Sequence, residues 1–251
     1  VLKLLALVLA GYAAVCLLLF LTQRSMIYYP VPSSAAPPAT RLTLNVDGAV
    51  LQNWVVRRDE RRALLYFGGN AEDVGGNAAP FAAAINDRTL VFANYRGYGG
   101  STGAPSEAAL VADALALFDS LAADHDDIAV VGRSLGSGVA MQLAARRPVS
   151  KLVLVTPFDS LVSVGQAAMP WIPVTLLARD RFDSAKVAQT VQAPTLLVIA
   201  TEDNIVRPGH AKKLLGAFPP GTARVIEAQG FGHNDLQVWP AYYAQIAQFV
   251  R

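Results

Sequence analysis

The first forty residues and the rest of the chain follow different patterns. From Leu4 to Leu21 eighteen consecutive residues carry no charge. As a helix that run is about 27 Å long, close to the hydrocarbon thickness of a bilayer. A cleaved secretory signal is the alternative. No Ala-x-Ala site follows Leu21, however, and Ala13-Ala14-Val15-Cys16 has valine where a lipid-attachment box needs a small residue. Tyr28-Tyr29, just beyond the run, suits the aromatic belt of a membrane interface. Residues 1–24 are therefore expected to form an uncleaved transmembrane anchor. Residues 25–40, rich in Pro, Ser and Ala from Val31 to Thr40, are expected to form an extended spacer. Lys3 precedes the apolar run while Arg24 and Arg41 follow it, so the basic residues leave the orientation open. The extracytoplasmic side, periplasmic in a bacterium, is favoured for the rest of the chain.

From Arg41 onward short apolar runs alternate with helical stretches. Arg41–Val46 and Val50–Val56 flank Asp47-Gly48, a hairpin signal. Further strands are expected at Ala63–Phe67, Leu90–Ala93, Ile128–Val131, Leu152–Val155, Leu196–Ile199 and Arg224–Ile226. Between them, helical patterns cover roughly Ala78–Asn86, Glu107–Ala123, Leu135–Arg146, Ser184–Val191, His210–Phe218 and Tyr242–Val250. Apolar runs buried on both faces and separated by helices predict a mostly parallel sheet of about eight strands with βαβ crossovers. There is no internal repeat, and residues 41–251 read as one α/β domain.

Composition narrows the function. Hydrophobic residues make up 53% and charged residues 16%, which excludes a disordered chain. With 21 basic and 19 acidic residues, and no basic cluster beyond Arg57-Arg58 and Arg61-Arg62, nucleic-acid binding has no electrostatic footing. The one cysteine, Cys16, excludes an internal disulfide and a cysteine metal site. No metal or cofactor is implied.

Gly132-Arg133-Ser134-Leu135-Gly136 stands directly between a strand and a helical pattern. Small residues there allow the sharp turn that exposes a serine nucleophile. A serine needs a base, and three histidines are available. His125 lies in a polar turn and His210 follows Pro208-Gly209, where an exposed helix start is expected. His233 lies in the glycine-rich loop Gly230-Phe231-Gly232-His233-Asn234-Asp235 after the last strand, where a positioned imidazole would be carried. Asp203 follows the run Leu196–Ile199 and so hangs from a strand's C-terminal end, the edge where ligand and catalytic groups gather. Asp159 and Glu202 are rival acids, and Asp235 is too near His233 in sequence to orient its ring. Two donors must also face a developing oxyanion. The N–H of Leu135 and the N–H of Asn70, in Phe67-Gly68-Gly69-Asn70-Ala71-Glu72, are the candidates, although a plain Gly-Gly-Asn turn is the alternative for the latter.

With Asn94-Tyr95-Arg96-Gly97-Tyr98-Gly99-Gly100-Ser101, Arg181-Phe182-Asp183-Ser184 and Gly232-His233-Asn234-Asp235-Leu236, the chain resembles membrane-anchored serine hydrolases of the α/β-hydrolase fold over essentially its whole length. That group includes abhydrolase-domain lipases and protein depalmitoylases, with single-anchor relatives in fungi and bacteria. Two departures stand out. Gly68 occupies a place where relatives usually carry histidine, and Ala200-Thr201 replaces a usual His-Gly. The resemblance implies cleavage of carboxylic esters or thioesters of lipid-like or acyl substrates through an acyl-enzyme. Ser134 would be the nucleophile, His233 the base and Asp203 its partner. The apolar stretch Met169-Pro170-Trp171-Ile172-Pro173-Val174 reads either as a helix pair capping the sheet or as a short lid with an acyl-chain groove. Gly69, Met169 and Trp171 are candidates for contact with substrate. A non-catalytic binding protein and a serine peptidase on the same fold are the rival functions.

Overall fold

At the turn Asp47-Gly48 both residues take positive φ, 45° and 76°, the geometry a two-residue hairpin needs. Strands β1 (Thr40–Val46) and β2 (Ala49–Val56) pair across it with Val46 opposite Ala49. The computed structural model describes residues 1–58 and 60–251. An N-terminal helix α1 (Leu2–Ile27) precedes the hairpin. After it come β3 (Arg62–Phe67), α2 (Ala78–Ala84), β4 (Thr89–Ala93), α3 (Glu107–Ala122), β5 (Asp127–Arg133), α4 (Leu135–Ala144) and β6 (Leu152–Val155). The cap follows as α5 (Leu161–Ala168) and α6 (Val174–Leu177), then α7 (Ser184–Ala188), β7 (Thr195–Ala200), α8 (Pro208–Ala217), β8 (Ala223–Ala228) and α9 (Tyr242–Val250). The sheet order is β1-β2-β4-β3-β5-β6-β7-β8. Only β2 runs against its neighbours; from β4 to β8 every pairing is parallel.

Side-chain alternation divides the core. In β3, Ala63, Leu65 and Phe67 face one side with Leu117 and Phe118 of α3 and Val139 and Met141 of α4. Leu64 and Tyr66 face the other side with Phe81 of α2 and Ile246 of α9. Parallel strands covered on both faces need apolar residues at every position, and Leu152–Val155 is buried throughout. All ten residues of α4 are buried, so this helix is enclosed by protein along its whole length.

Helix α1 continues three residues past the expected anchor end and docks by one stripe. Cys16, Leu19, Phe20, Thr22, Gln23 and Ile27 are half-buried while the rest of the helix is exposed. Gln23 Nε2 donates to the Leu177 carbonyl at 3.1 Å and its Oε1 accepts the Arg179 N–H at 2.7 Å. Arg24 pairs with Asp180 at 3.0 Å, and the Tyr28 hydroxyl donates to the same carboxylate at 3.1 Å. Burial, then Asp180 itself, raises the Tyr28 phenol above its ordinary value and keeps it a donor. Of segment 25–40 the first three residues are helical and the part from Tyr28 to the start of β1 is irregular, but it lies along the domain. Tyr28 is 3% exposed, Ser33 bridges Asp73 and Trp54 at 2.6 and 2.9 Å, and the Gly99 N–H bonds the Val31 carbonyl.

Tyr28 therefore belongs to the core. Tyr28→Ala should lower the unfolding free energy by about 3–5 kcal/mol, the range for emptying a large aromatic site. Tyr28→Phe should cost about 1 kcal/mol for the lost hydrogen bond. Urea titration in detergent followed by tryptophan fluorescence measures both. Stability unaffected by Tyr28→Ala would mean that the segment is a detachable spacer.

Candidate active site

β5 turns into α4 with almost no space for side chains. A Cβ on Gly132 would overlap the Gly136 carbonyl oxygen, and one on Gly136 would overlap the carbonyl oxygen of Phe67. Between them Ser134 is held at φ 49°, ψ −116°, a backbone state strained for a residue with a Cβ. The surroundings over-determine it. Ser134 N–H donates to the Val155 carbonyl at 2.9 Å, and the Ser137 hydroxyl donates to the Ser134 carbonyl at 2.6 Å. Ser134 is thereby presented at the C-terminal edge of the sheet.

The other two side chains come to the same edge. Asp203 follows β7, and its Oδ1 accepts the Ile205 and Val206 N–H groups at 2.9 and 2.8 Å. Its Oδ2 lies 2.6 Å from His233 Nδ1, and His233 Nε2 lies 2.9 Å from Ser134 Oγ. Asp203 and His233 are 5% and 8% exposed. With Nδ1 facing a carboxylate, the neutral ring carries its proton there and Nε2 is left as an acceptor. The alternatives weighed on sequence lie elsewhere. Asp159 pairs with His210 at 2.7 Å, Asp235 accepts the Gly232 N–H of its own loop, Glu202 is exposed, and His125 bonds the Leu121 carbonyl. His210 is a correction: it is 8% exposed, because α8 packs on the cap side of the sheet and turns the ring toward Asp159.

Gly69 and Asn70 stand over Ser134. A Cβ on Gly69 would lie 3.5 Å from that of Ser134, an ordinary contact, and 3.2 Å from Glu72 Oε2, a tight one, so the loop runs directly against the serine. A pocket of about 200 Å³ is lined by Gly69, Asn70, Arg133, Ser134, Ile205, His233 and Asn234. Asn70 is pinned through its side chain, whose Oδ1 accepts the Tyr29 N–H and the Tyr98 hydroxyl, each at 2.8 Å. The Leu135 N–H opens α4 beside Ser134. Gly68 fits its surroundings: Val74 and the Glu72 carboxyl fill the space a side chain would need, and the Tyr95 hydroxyl bonds the Gly68 carbonyl at 2.7 Å. Thr201 ties the Asp203 loop to the His233 loop through the Gly230 N–H at 2.9 Å. Met169 and Trp171 do not line this pocket. Met169 lines a different cavity against α1, and Trp171 is 73% exposed at the tip of the cap.

One pair at the site had no signal of its own in the sequence. Glu72 Oε2 accepts the Gly69 N–H at 2.6 Å and pairs with Arg133 Nη1 at 2.8 Å. Its Oε1 accepts from the Tyr66 hydroxyl at 2.6 Å and from Asn77 Nδ2 at 2.7 Å. Arg133 Nη2 donates to the His233 carbonyl at 3.1 Å. Both side chains are about nine-tenths buried. Burial works against the Arg133 charge, but Glu72 outweighs it and the guanidinium is held above its ordinary pKa. Burial, then Glu72, likewise pushes the Tyr66 phenol far up, so it stays a donor. One ion pair thus ties the Gly69-Asn70 loop, the Ser134 turn and the His233 loop together. Arg133 sits inside the serine motif and Glu72 inside the Gly-Gly-Asn loop, but nothing in a linear sequence pairs them.

Residues 62–190 match the α/β hydrolase fold family. The chain is 37% identical to the uncharacterized protein Rv2307c of Mycobacterium tuberculosis H37Rv, over 95% of this chain and 89% of that one. It is 31% identical to the alpha/beta hydrolase domain-containing protein aho-3 of Caenorhabditis elegans, over 74% of this chain and 57% of the worm protein. The Pyrococcus furiosus esterase Pf2001 superposes with a TM-score of 0.73 over 89% of this chain and 97% of its own, at 16% identity. A putative hydrolase from Agrobacterium vitis S4 gives 0.68 over 85% and 100%, at 19% identity. The chain belongs to the α/β-hydrolase-fold family.

Breaking the buried pair from one side should be costly. Glu72→Gln leaves Arg133 without its counter-charge and is expected to destabilise the fold by about 3–5 kcal/mol. Adding Arg133→Met to that variant should recover about 1–2 kcal/mol, since the uncompensated charge is gone. A double-mutant cycle by urea denaturation measures the coupling. Strictly additive losses would show that the two side chains act independently.

Proposed function

We propose that the protein hydrolyses carboxylic esters or thioesters through an acyl-enzyme on Ser134. The observation that carries this is the hydrogen-bonded sequence Ser134 Oγ, His233 Nε2, His233 Nδ1, Asp203 Oδ2, at 2.9 and 2.6 Å, beside an open pocket. Ser134 Oγ attacks the acyl carbon while its proton passes to His233 Nε2. The carbonyl electron pair moves onto oxygen, where the N–H groups of Asn70 and Leu135 receive it. Each such donor is worth about 3–4 kcal/mol of barrier. Collapse of the tetrahedral intermediate expels the alkoxide or thiolate, which takes the proton from His233. Water then repeats the sequence on the acyl-enzyme and frees Ser134. Asp203 holds the imidazole in one tautomer and stabilises its cation, and its own orientation is fixed by the Ile205 and Val206 N–H groups.

Gly69, which lines the pocket beside Ser134, is the backbone against which the acyl group lies. Helix α1, long and apolar enough to cross a membrane, is read as the anchor of this enzyme, with residues 41–251 as its hydrolase domain. Membership of the family and the shared fold of an esterase support hydrolysis. The substrate class rests on the serine site and on its place beside the apolar helix.

Ser134→Ala and His233→Ala should each lower kcat by at least about 10³-fold with the melting temperature retained, since such residues fail as a unit. Asp203→Asn should cost somewhat less, and Asp159→Asn little, because that carboxylate serves His210. Turnover of p-nitrophenyl esters and acyl thioesters, together with labelling by a fluorophosphonate probe, checks each variant. Probe labelling that survives Ser134→Ala would place the nucleophile elsewhere, and greater damage from Asp159→Asn than from Asp203→Asn would reassign the acid.

A further inference from the structure

A second cavity lies at this edge of the domain, between α1 and the cap helices α5 and α6. It measures about 180 Å³ and is walled by Leu19, Met26, Ile27, Val164, Met169 and Leu177 among others. Gln23 and Asp180 supply the only polar side chains to its lining, and both are committed. Gln23 bonds the main chain of Leu177 and Arg179, and Asp180 holds Arg24, Tyr28 and the Glu107 N–H. The lining therefore offers a ligand nothing but hydrocarbon.

What surrounds the cavity follows from how far the cap climbs along α1. The Tyr12 hydroxyl donates to the Trp171 carbonyl at 2.8 Å. Tyr12 lies twelve residues before Arg24, which in a helix is about 18 Å, more than half of the roughly 30 Å of bilayer hydrocarbon. If Arg24 marks the interface, the tip of the cap reaches mid-bilayer depth. The composition of the cap agrees. From Ser160 to Ala178 nineteen consecutive residues carry no charge, and charge resumes at Arg179, Asp180 and Arg181, level with Arg24. Trp171 and Leu176 point outward, 73% and 82% exposed, which is costly in water and favourable in lipid.

The backbone supplies a separate observation. Irregular chain survives in hydrocarbon only when its polar groups are satisfied by protein. Between α5 and α6 one side chain does much of this. Gln166 Nε2 is within 3.3, 3.2 and 2.9 Å of the Met169, Pro170 and Ile172 carbonyls, and its Oε1 accepts the Val174 N–H at 3.1 Å. The Trp171 carbonyl, which Gln166 does not reach, is the one taken by Tyr12. A loop in water has no need of an internal partner for each of its carbonyls.

We propose that the cap lies in the bilayer beside α1, and that the cavity between them takes a long acyl chain drawn laterally from a membrane lipid. The proposal rests on the ester-hydrolase reading of Ser134 and on α1 as an anchor, and it names the substrate class of that site. The path is short along the chain: Ile27 walls the cavity, and two residues later the Tyr29 N–H bonds Asn70 Oδ1 at the loop over Ser134. An acyl chain in the cavity has its carboxyl end toward that loop, and Met169 contacts the chain.

The test uses the full chain in phosphatidylcholine/phosphatidylglycerol vesicles. A fluorophore on Leu176→Cys, in a Cys16→Ser background, should be quenched by lipids with a mid-chain nitroxide and protected from aqueous iodide; the opposite pattern overturns embedding. Phosphatidylcholine bearing a mid-chain diazirine, photolysed with the Ser134→Ala protein, should mark Met26, Met169 or Leu177. Adducts confined to the exposed face of α1, at Leu17 or Leu18, overturn the cavity assignment. In Ala168→Phe, which narrows the cavity, the ratio of kcat/KM for hexadecanoyl over butanoyl esters should fall by about tenfold or more, and an unchanged ratio counts against the assignment. If the unmodified protein hydrolysed no ester at all, the catalytic reading would fail while quenching and cross-linking still decided the lipid site.

Discussion

At the end of β5 the backbone comes so close to α4 and β3 that no side chain fits at positions 132 and 136. Gly136 packs on the Phe67 carbonyl and Gly132 on the Gly136 carbonyl. Ser134, caught between, cannot relax from its strained φ of 49° without moving a helix that is buried along its whole length. The strain is held by the packing of α4, and the same close approach brings the loop after β3 over the serine. A Cβ at Gly132 would push α4 away from β5, and one at Gly136 would push it away from β3 and separate Ser134 from the loop that faces it.

The ion pair of Glu72 and Arg133 is built on that approach. Removing two charges from water is costly, and their mutual attraction alone does not reliably offset it. Here further hydrogen bonds support the pair: Glu72 also takes the Gly69 N–H, Tyr66 and Asn77, and Arg133 Nη2 reaches the His233 carbonyl, while Arg133 Nε is buried without a partner. The pair thus sets the spacing of three loops that share no secondary structure. Asn70 is held from the other side by Tyr98 and by the main chain of Tyr29, so the N-terminal segment also contributes to the shape of the site.

The sheet was legible in the sequence because each strand announces itself locally. A run such as Leu152–Val155 has no alternative to burial on both faces, and Asp47-Gly48 admits few conformations but a tight turn. Ser134, Asp203 and His233 could be singled out for the same reason, each lying just past the C-terminal end of a strand. What depended on distant partners could not be read. His210 sits at a helix start, which argues for exposure, yet Asp159 from another loop buries it. Glu72 and Arg133 are 61 residues apart, and their neighbours in sequence say nothing of their pairing. Segment 25–40 has the composition of a free linker, but Tyr28 and Ser33 find partners only once the domain has folded.

Helix α1, cap and serine then form one continuous edge, from the apolar stripe of α1 through Tyr28 and Asn70 to Ser134. The central claim is that this edge ends in a nucleophile that carries the acyl group between two half-reactions. Rapid acid quench of the protein mixed with a p-nitrophenyl ester, followed by peptide mass spectrometry, tests it most directly. The account predicts a transient mass increase equal to the acyl group on the peptide containing Ser134, formed within the first turnover and lost as the substrate is exhausted. Product release with no acylated peptide at any time, or acylation of a different residue, would contradict it.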